Sequence, residues 1–479
     1  MARRLTHHLA LCLLLGCAVA AQSAPPSPDL LSRIDAFVER ERQASRIPGI
    51  ALAIVADGRI AHVRGFGARD GAGHPVTPDT PFPVGSLSKS FTAVLARQLA
   101  DAGQLDLDAP LQRVLPAFTV ADRTAAQRIT VRHLMNQTSG LSRTDGVRPL
   151  FSDDDAQGAA ALLQRIASLP LQAAPGERYE YSNLNFALLG QVVEAVTRQP
   201  WEQALQQRVF EPLQMTHSHT GLREARADGL SDLHRYWFGM PVVQRIDFPR
   251  ALAPAGGAAA SAQDMARYLL MMLETGQGPR GPVLSDAAAR SMLAPASPPG
   301  RSTLLGTTFD FRYGEGWFVG PFGAAADARW HLGSLASFAA WMVLMPETRQ
   351  AVVVLINANS ELPLFGAGDT FSRLPIGVVN LLRGQPAPTG TTVADAYLRL
   401  NTVLALIGAV VVGVSWLIAR RAWRWAAIGW GALAVVLALS LSFTVFGWRG
   451  FAHFMPDLMA WLATMLAVML IPAALAWRR

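Results

Sequence analysis

The order of patterns along this 479-residue chain predicts an α+β fold: a mainly antiparallel sheet flanked by helices, a helical lobe, and three transmembrane helices at the end. Three observations carry this. Ile50–Val55 and Ile60–Gly65 are β-rich runs joined through Asp57-Gly58, a two-residue hairpin signal. Strand-like runs return late, at Trp317–Gly320, Ala328–Leu332, Ser337–Leu344 and Ala351–Asn357, after a mostly helical stretch from Leu105 to about Gln277. Residues 400–479 then hold three long apolar runs.

Leu30–Gln43 reads as an amphipathic helix ended before Pro48-Gly49. Phe91, Val94, Leu95 and Leu99 give the apolar face of a second helix, beginning near Ser86, running to about Ala102 and stopped at Gly103. The late strands pair with the early hairpin in one sheet. The helical middle forms its own lobe, which leaves a cleft between lobe and sheet edge.

The two ends of the chain read as membrane-targeting. Residues 1–24 form an export signal: Arg3-Arg4, the apolar run Leu9–Ala18, and a small-residue cleavage site at Ala18-Val19-Ala20. Leu14-Leu15-Gly16-Cys17 loosely fits a lipoprotein box, and cleavage after Ala20 is the preferred reading. Both cysteines, Cys12 and Cys17, fall in this segment, so the exported part has no disulfide and no thiolate chemistry. Leu400–Ala419, Ala426–Gly447 and Leu458–Ala476 are each long enough to cross a bilayer. Arg420, Arg421, Arg424, Arg478 and Arg479 put their cytoplasmic ends after the first and third spans, with the large domain outside. The expected organisation is therefore a signal over 1–24, an exported folded domain over 25–383, a linker over 384–399 with Pro386 and Pro388, and a three-helix region over 400–479. The formal charge of +7 is not a nucleic-acid footprint: between Pro25 and Tyr397 there are 33 basic and 34 acidic residues, and the excess sits at the membrane ends.

Among the 42 basic residues, Lys89 is the single lysine. Arginine stays protonated in proteins, whereas a buried ammonium can lose its proton and act as a base. Ser86 lies one helical turn before it in Val84-Gly85-Ser86-Leu87-Ser88-Lys89, within reach of the amine. Two further clusters stand downstream: Tyr179-Glu180-Tyr181-Ser182-Asn183 in the helical middle and Trp330-His331-Leu332-Gly333-Ser334 on a predicted strand.

In order and spacing, Ser86-x-x-Lys89, Tyr181-Ser182-Asn183 and His331-Leu332-Gly333 resemble the three motifs of the serine β-lactamase and penicillin-binding protein superfamily, nearest its class C-like branch. Ile129–Leu134 followed by Thr138-Ser139-Gly140-Leu141, and Pro254-Ala255-Gly256-Gly257 with Ser261 and Asp264, extend the resemblance over about Leu30 to Leu382. It implies a β-lactamase-like fold and an acyl-enzyme mechanism. Ser86 is the expected nucleophile, and Lys89 and Tyr181 share its proton, with the formal base left open. Asn183, His331 and Gly333 are the expected substrate-binding residues, and the backbone N–H groups of Ser86 and Ser334 the oxyanion hole. In many relatives a lysine opens the third motif; here it is His331, mostly neutral at pH 7 when unperturbed, which weakens any requirement for a substrate carboxylate. His133 and Met271-Met272 read as structural, and no metal-ligand spacing or cofactor motif is present.

The expectation is thus a membrane-tethered serine hydrolase, without metal or cofactor, on the outer face of a bacterial inner membrane. Its substrate is a small amide or ester, including D-amino-acid peptides, and no nucleic-acid partner is expected. Three spans after such a domain also resemble periplasmic D-aminopeptidases that activate prodrug peptides. The alternatives are a β-lactamase or D,D-carboxypeptidase, and a sensor acylated once per molecule.

Overall fold

Gly49–Ala56 (β1) carries no polar side chain and is buried along its whole length, because it is covered on both faces. In the computed structural model, which describes residues 25–147, 158–360, 366, 368–421, 423–442 and 455–477, β1 lies inside an eight-stranded sheet. It pairs with Arg59–Gly67 (β2) through the expected Asp57-Gly58 turn, both residues at positive φ. The other strands are Gly300–Leu304 (β5), Thr307–Tyr313 (β6), Phe318–Phe322 (β7), Ala325–Leu335 (β8), Phe338–Met345 (β9) and Gln350–Ile356 (β10). The order is β5-β6-β7-β8-β9-β10-β1-β2, antiparallel throughout.

Pro28–Ala44 (α1), capped by the Ser27 hydroxyl, packs with Asp369–Leu382 (α5) near one face of this sheet. Ala262–Leu273 (α4) packs on β1 and β10. The helical lobe centres on Ser88–Asp101 (α2) and Asn183–Thr197 (α3), which pack on each other. Two features depart from the sequence reading. Ser86 sits in a 3-10 turn, Gly85–Leu87, that precedes α2 instead of starting it. The middle is also not helical throughout: His234–Trp237 (β3) and Met240–Val243 (β4) form a hairpin there. Its strands are four residues each and one contains Pro241, too short for a period of two to register.

Val393–Arg421 (α6) and Pro456–Trp477 (α8) are long and apolar enough to cross a membrane. Arg424–Ser442 (α7) is apolar and shorter, and packs against α8. The rest of its expected span, and the export signal over 1–24, lie outside the described residues. The linker is shorter than the expected 384–399. The helix already begins at Val393, because Val393, Ala396, Tyr397 and Leu400 are buried against the folded domain.

Candidate active site

Ser86 is the one residue from Thr80 to Ala96 that is not buried. The turn that exposes it is stitched down on both sides. Val84 N donates to Ala258 O across 3.0 Å, and the Ser88 hydroxyl donates to Gly85 O across 2.7 Å while accepting from Ala258 N. Thr92 on α2 donates to Pro254 O across 2.7 Å. The chain from Pro254 to Ala260 thus anchors the serine turn.

Lys89 projects one turn back along α2, and its Nζ lies 2.9 Å from Ser86 Oγ. It has no solvent exposure. It also donates to Asn183 Oδ1 at 2.8 Å and to Ala255 O at 2.6 Å. Both of those partners are oxygens that only accept. In the neutral amine they take both N–H groups, which leaves the lone pair for the Ser86 hydroxyl. Burial, helped by the charge of Arg143, holds the Lys89 pKa well below the ordinary ammonium range. Tyr181 Oη donates to Ser86 Oγ at 2.9 Å from the other side. Burial pushes that phenol up to about 12, against a small lowering by the bond to Ser86. The trio is an amine whose burial favours its uncharged form, a hydroxyl and a phenol, arranged to pass one proton along.

Asn183 is the first residue of α3, and Ser182 before it is the helix cap residue. Its amide bridges the amine of Lys89 and Gly146 O, the latter at 3.1 Å, so both ends are engaged within the protein. His331 lies on β8 facing the cluster, 6.2 Å from the Tyr181 ring centre to centre. Its Nδ1 donates to Leu332 O at 2.7 Å, which leaves Nε2 to accept from Tyr313 Oη at 2.9 Å. Burial, with the nearby Lys89, lowers its pKa to about 3, so it is a neutral ring with both nitrogens occupied. Gly333 brings β8 against the serine turn. A Cβ there would collide with Val84 O and stand 2.9 Å from Ser86 N. Ser334 follows it, opposite Ala339 on β9.

Sequence reasoning missed three contributors. The Ala255 carbonyl, in the Pro254–Gly257 segment, carries no side-chain signal. Tyr313 ends a strand, β6, that went unread. Arg143, whose guanidinium sits 5.6 Å from the centre of the Tyr181 ring, lies on a short exposed helix with no pattern of its own. His133, by contrast, is occupied in capping the helix Val131–Met135. Among the described residues no group of three or more His, Cys, Asp or Glu side chains is placed to hold a metal ion.

With Ser86, Lys89 and Tyr181 in mutual contact and β8 beside them, the comparison with known proteins is direct. The family model for beta-lactamases matches residues 34–374. The chain belongs to the beta-lactamase family. This beta-lactamase-family chain is 32% identical over 260 residues to penicillin-binding protein 4 of Amycolatopsis lactamdurans, a match covering 53% of this chain and 66%, just under two thirds, of that protein. It is 25% identical over 434 residues to protein flp of Staphylococcus aureus, covering 86% of this chain and 82% of the relative. Among solved structures it is similar to the octameric penicillin-binding protein homologue from Pyrococcus abyssi. That match has a TM-score of 0.61 and 25% identity, covering 74% of this chain and 78% of the other. The family suggests a serine hydrolase of the acyl-enzyme type.

Proposed function

We propose that this protein is a membrane-anchored, periplasmic serine hydrolase that cleaves small amides or esters, D-amino-acid peptides included, through an acyl-Ser86 intermediate. The observation that carries the reading is the environment of Lys89: its buried Nζ lies 2.9 Å from Ser86 Oγ while two carbonyl oxygens hold its other N–H groups. In the proposed cycle Ser86 Oγ bonds to the substrate carbonyl carbon as its proton passes to Lys89 Nζ. The carbonyl oxygen takes the negative charge against the N–H groups of Ser86 and Ser334. Collapse breaks the bond to the leaving nitrogen or oxygen, which takes a proton from Tyr181, and Lys89 passes its proton to the resulting phenolate. Water then attacks the acyl carbon by the same relay and frees Ser86.

The three-span anchor is part of this reading. α6 and α8 are apolar over membrane length, α7 lies between them, and the arginines at their ends obey the positive-inside pattern. A second reading, a β-lactamase or D,D-carboxypeptidase, is favoured by the penicillin-binding protein among the relatives. Against it, His331 is neutral and its nitrogens are taken, so the third motif supplies no cation for the carboxylate that such substrates carry.

Turnover of an acyl-D-amino-acid amide, a short-chain ester and a chromogenic β-lactam, with Ser86→Ala as control and intact mass to detect the adduct, tests the proposal. Ser86-dependent turnover of the amide or ester supports it. Rapid β-lactam turnover with the other two untouched moves the protein to the second reading. A stable stoichiometric adduct identifies a sensor instead.

A further inference from the structure

The β3–β4 hairpin is built for a surface unlike bulk water. Its base belongs to the catalytic domain: β3 pairs with Ala358-Asn359, and Tyr236 Oη donates to Ser45 O at 2.8 Å. Its tip belongs to the membrane helices. Phe238 N donates to Asp457 Oδ2 at 3.0 Å, and Phe238 O accepts from Asn401 Nδ2 at 3.1 Å. Asp457 opens α8 and Asn401 is the second residue of the first expected span, so the Phe238 backbone is tied to the outer ends of two spans at once. The turn is Phe238-Gly239, both at positive φ, and a Cβ on Gly239 would stand 2.8 Å from Tyr397 Cβ. Glycine is what lets the hairpin lie this close to α6.

Around that anchored tip the side chains are apolar and exposed. Trp237, Met240, Val242 and Val243 are 40%, 54%, 48% and 49% accessible, and the lipid-facing side of α6 begins beside them with Leu398 at 67%. Exposed apolar side chains therefore stand both at the outer end of α6 and on the hairpin of the folded domain packed against it. Arg46 completes it, with Nη1 donating to Met240 Sδ at 3.1 Å and to Gly239 O at 3.4 Å, a cation level with the tip. Trp at the water boundary and a cation beside it is the composition of a membrane interface.

We infer that the β3–β4 hairpin inserts Trp237, Met240 and Val242 into the interfacial layer of the outer leaflet, locking the catalytic domain at a fixed height and tilt on the bilayer. The inference rests on the reading of α6 and α8 as transmembrane. Because the tip bonds both helices and the base pairs within the catalytic domain, the domain is held by more than the single tether of the chain.

The full chain in nanodiscs, with Cys12 and Cys17 replaced by serine, tests it. An environment-sensitive fluorophore is placed in turn at Met240→Cys, at Ile407→Cys on the exposed face of α6, and at Thr307→Cys on the exposed strand β6. The probe is lipid carrying a nitroxide near the headgroup or deep in the acyl chain. The expected result is that the residue-240 label is blue-shifted and loses most of its emission to the shallow quencher, the 407 label to the deep one, and the 307 label to neither. A 240 label that behaves like the 307 label, while 407 is quenched, overturns the inference and leaves the membrane reading standing. A 240 label that is blue-shifted but blind to lipid quenchers also overturns it, since the patch is then covered by protein. If 407 escapes quenching as well, the transmembrane reading itself fails.

Discussion

The amine of Lys89 donates to Asn183 Oδ1 across 2.8 Å, a bond between residues 94 apart in the chain. It joins α2 to the start of α3 and uses a neutral amide where a carboxylate would fit. That choice adds no anion that would favour the ammonium. Replacing it by Asn183→Asp puts an anion within 3 Å of the nitrogen and favours the ammonium. Acylation rises with pH as Lys89 loses its proton, so its acidic limb should move up by about one to two pH units, with about tenfold less rate per unit at any pH below it. The pH dependence of kcat/KM checks this, and an unmoved limb removes Lys89 as the titrating base.

Lys89→Arg should install a permanent cation and lose the base. Its rate of acylation, followed with a serine-reactive phosphonate, should fall by about 10²–10⁴-fold. Close to parental labelling in this variant would assign the proton to another group.

Tyr181 is expected to act as an acid toward the leaving group, because burial lifts its pKa to about 12 and leaves it protonated across the working range. Tyr181→Phe should therefore cost amide substrates about 10²–10⁴-fold. Aryl esters, whose leaving phenolates need no proton, should lose far less. Equal losses on both substrates would mean that the phenol serves the attack step instead.

His331 is neutral in the folded protein, its pKa lowered to about 3 by burial, and returns to about 6.5 on unfolding. Between these values the unfolded chain binds a proton that the folded chain does not, so stability falls as pH drops from 6.5 toward 3. In His331→Gln this share of the pH dependence disappears. The stability gap between parent and variant should narrow by about 1.4 kcal/mol per pH unit below 6.5. Denaturant midpoints in detergent over that range measure it.

Gly333→Ala should act on chemistry through crowding. Its Cβ meets Val84 O and the Ser86 N–H, so β8 must move away from the serine turn. Loss of about 10²–10³-fold in acylation is expected, the scale of one oxyanion-hole donor. The same substitution at Gly71, where a Cβ meets nothing, should leave the rate unchanged.

Local chemistry made most of the outline legible in the sequence. The Asp57-Gly58 turn, the α1 and α2 apolar faces and the late β runs depend on residues near one another in the chain, so their patterns survive without the fold. Lys89 was conspicuous because its type is unique, and Ser86 because it stands one turn away. What a residue touches across the fold was not legible. His331 reads as a substrate-binding residue in the sequence; that Tyr313, on β6 and one strand beyond β7, hydrogen-bonds its ring follows only from strand pairing. Asn183 also reads as a substrate-binding residue, and its bond to the Lys89 amine comes from the packing of α3 on α2.

By itself the sequence determined the fold class, the membrane-length apolar helices and which side chains had the chemistry to act, since these follow from period, length and residue type. Only the tertiary structure decided that the Ala255 carbonyl and the Asn183 amide occupy the two N–H groups of Lys89. A backbone oxygen has no identity in a sequence, and its direction is set by contacts more than 150 residues away.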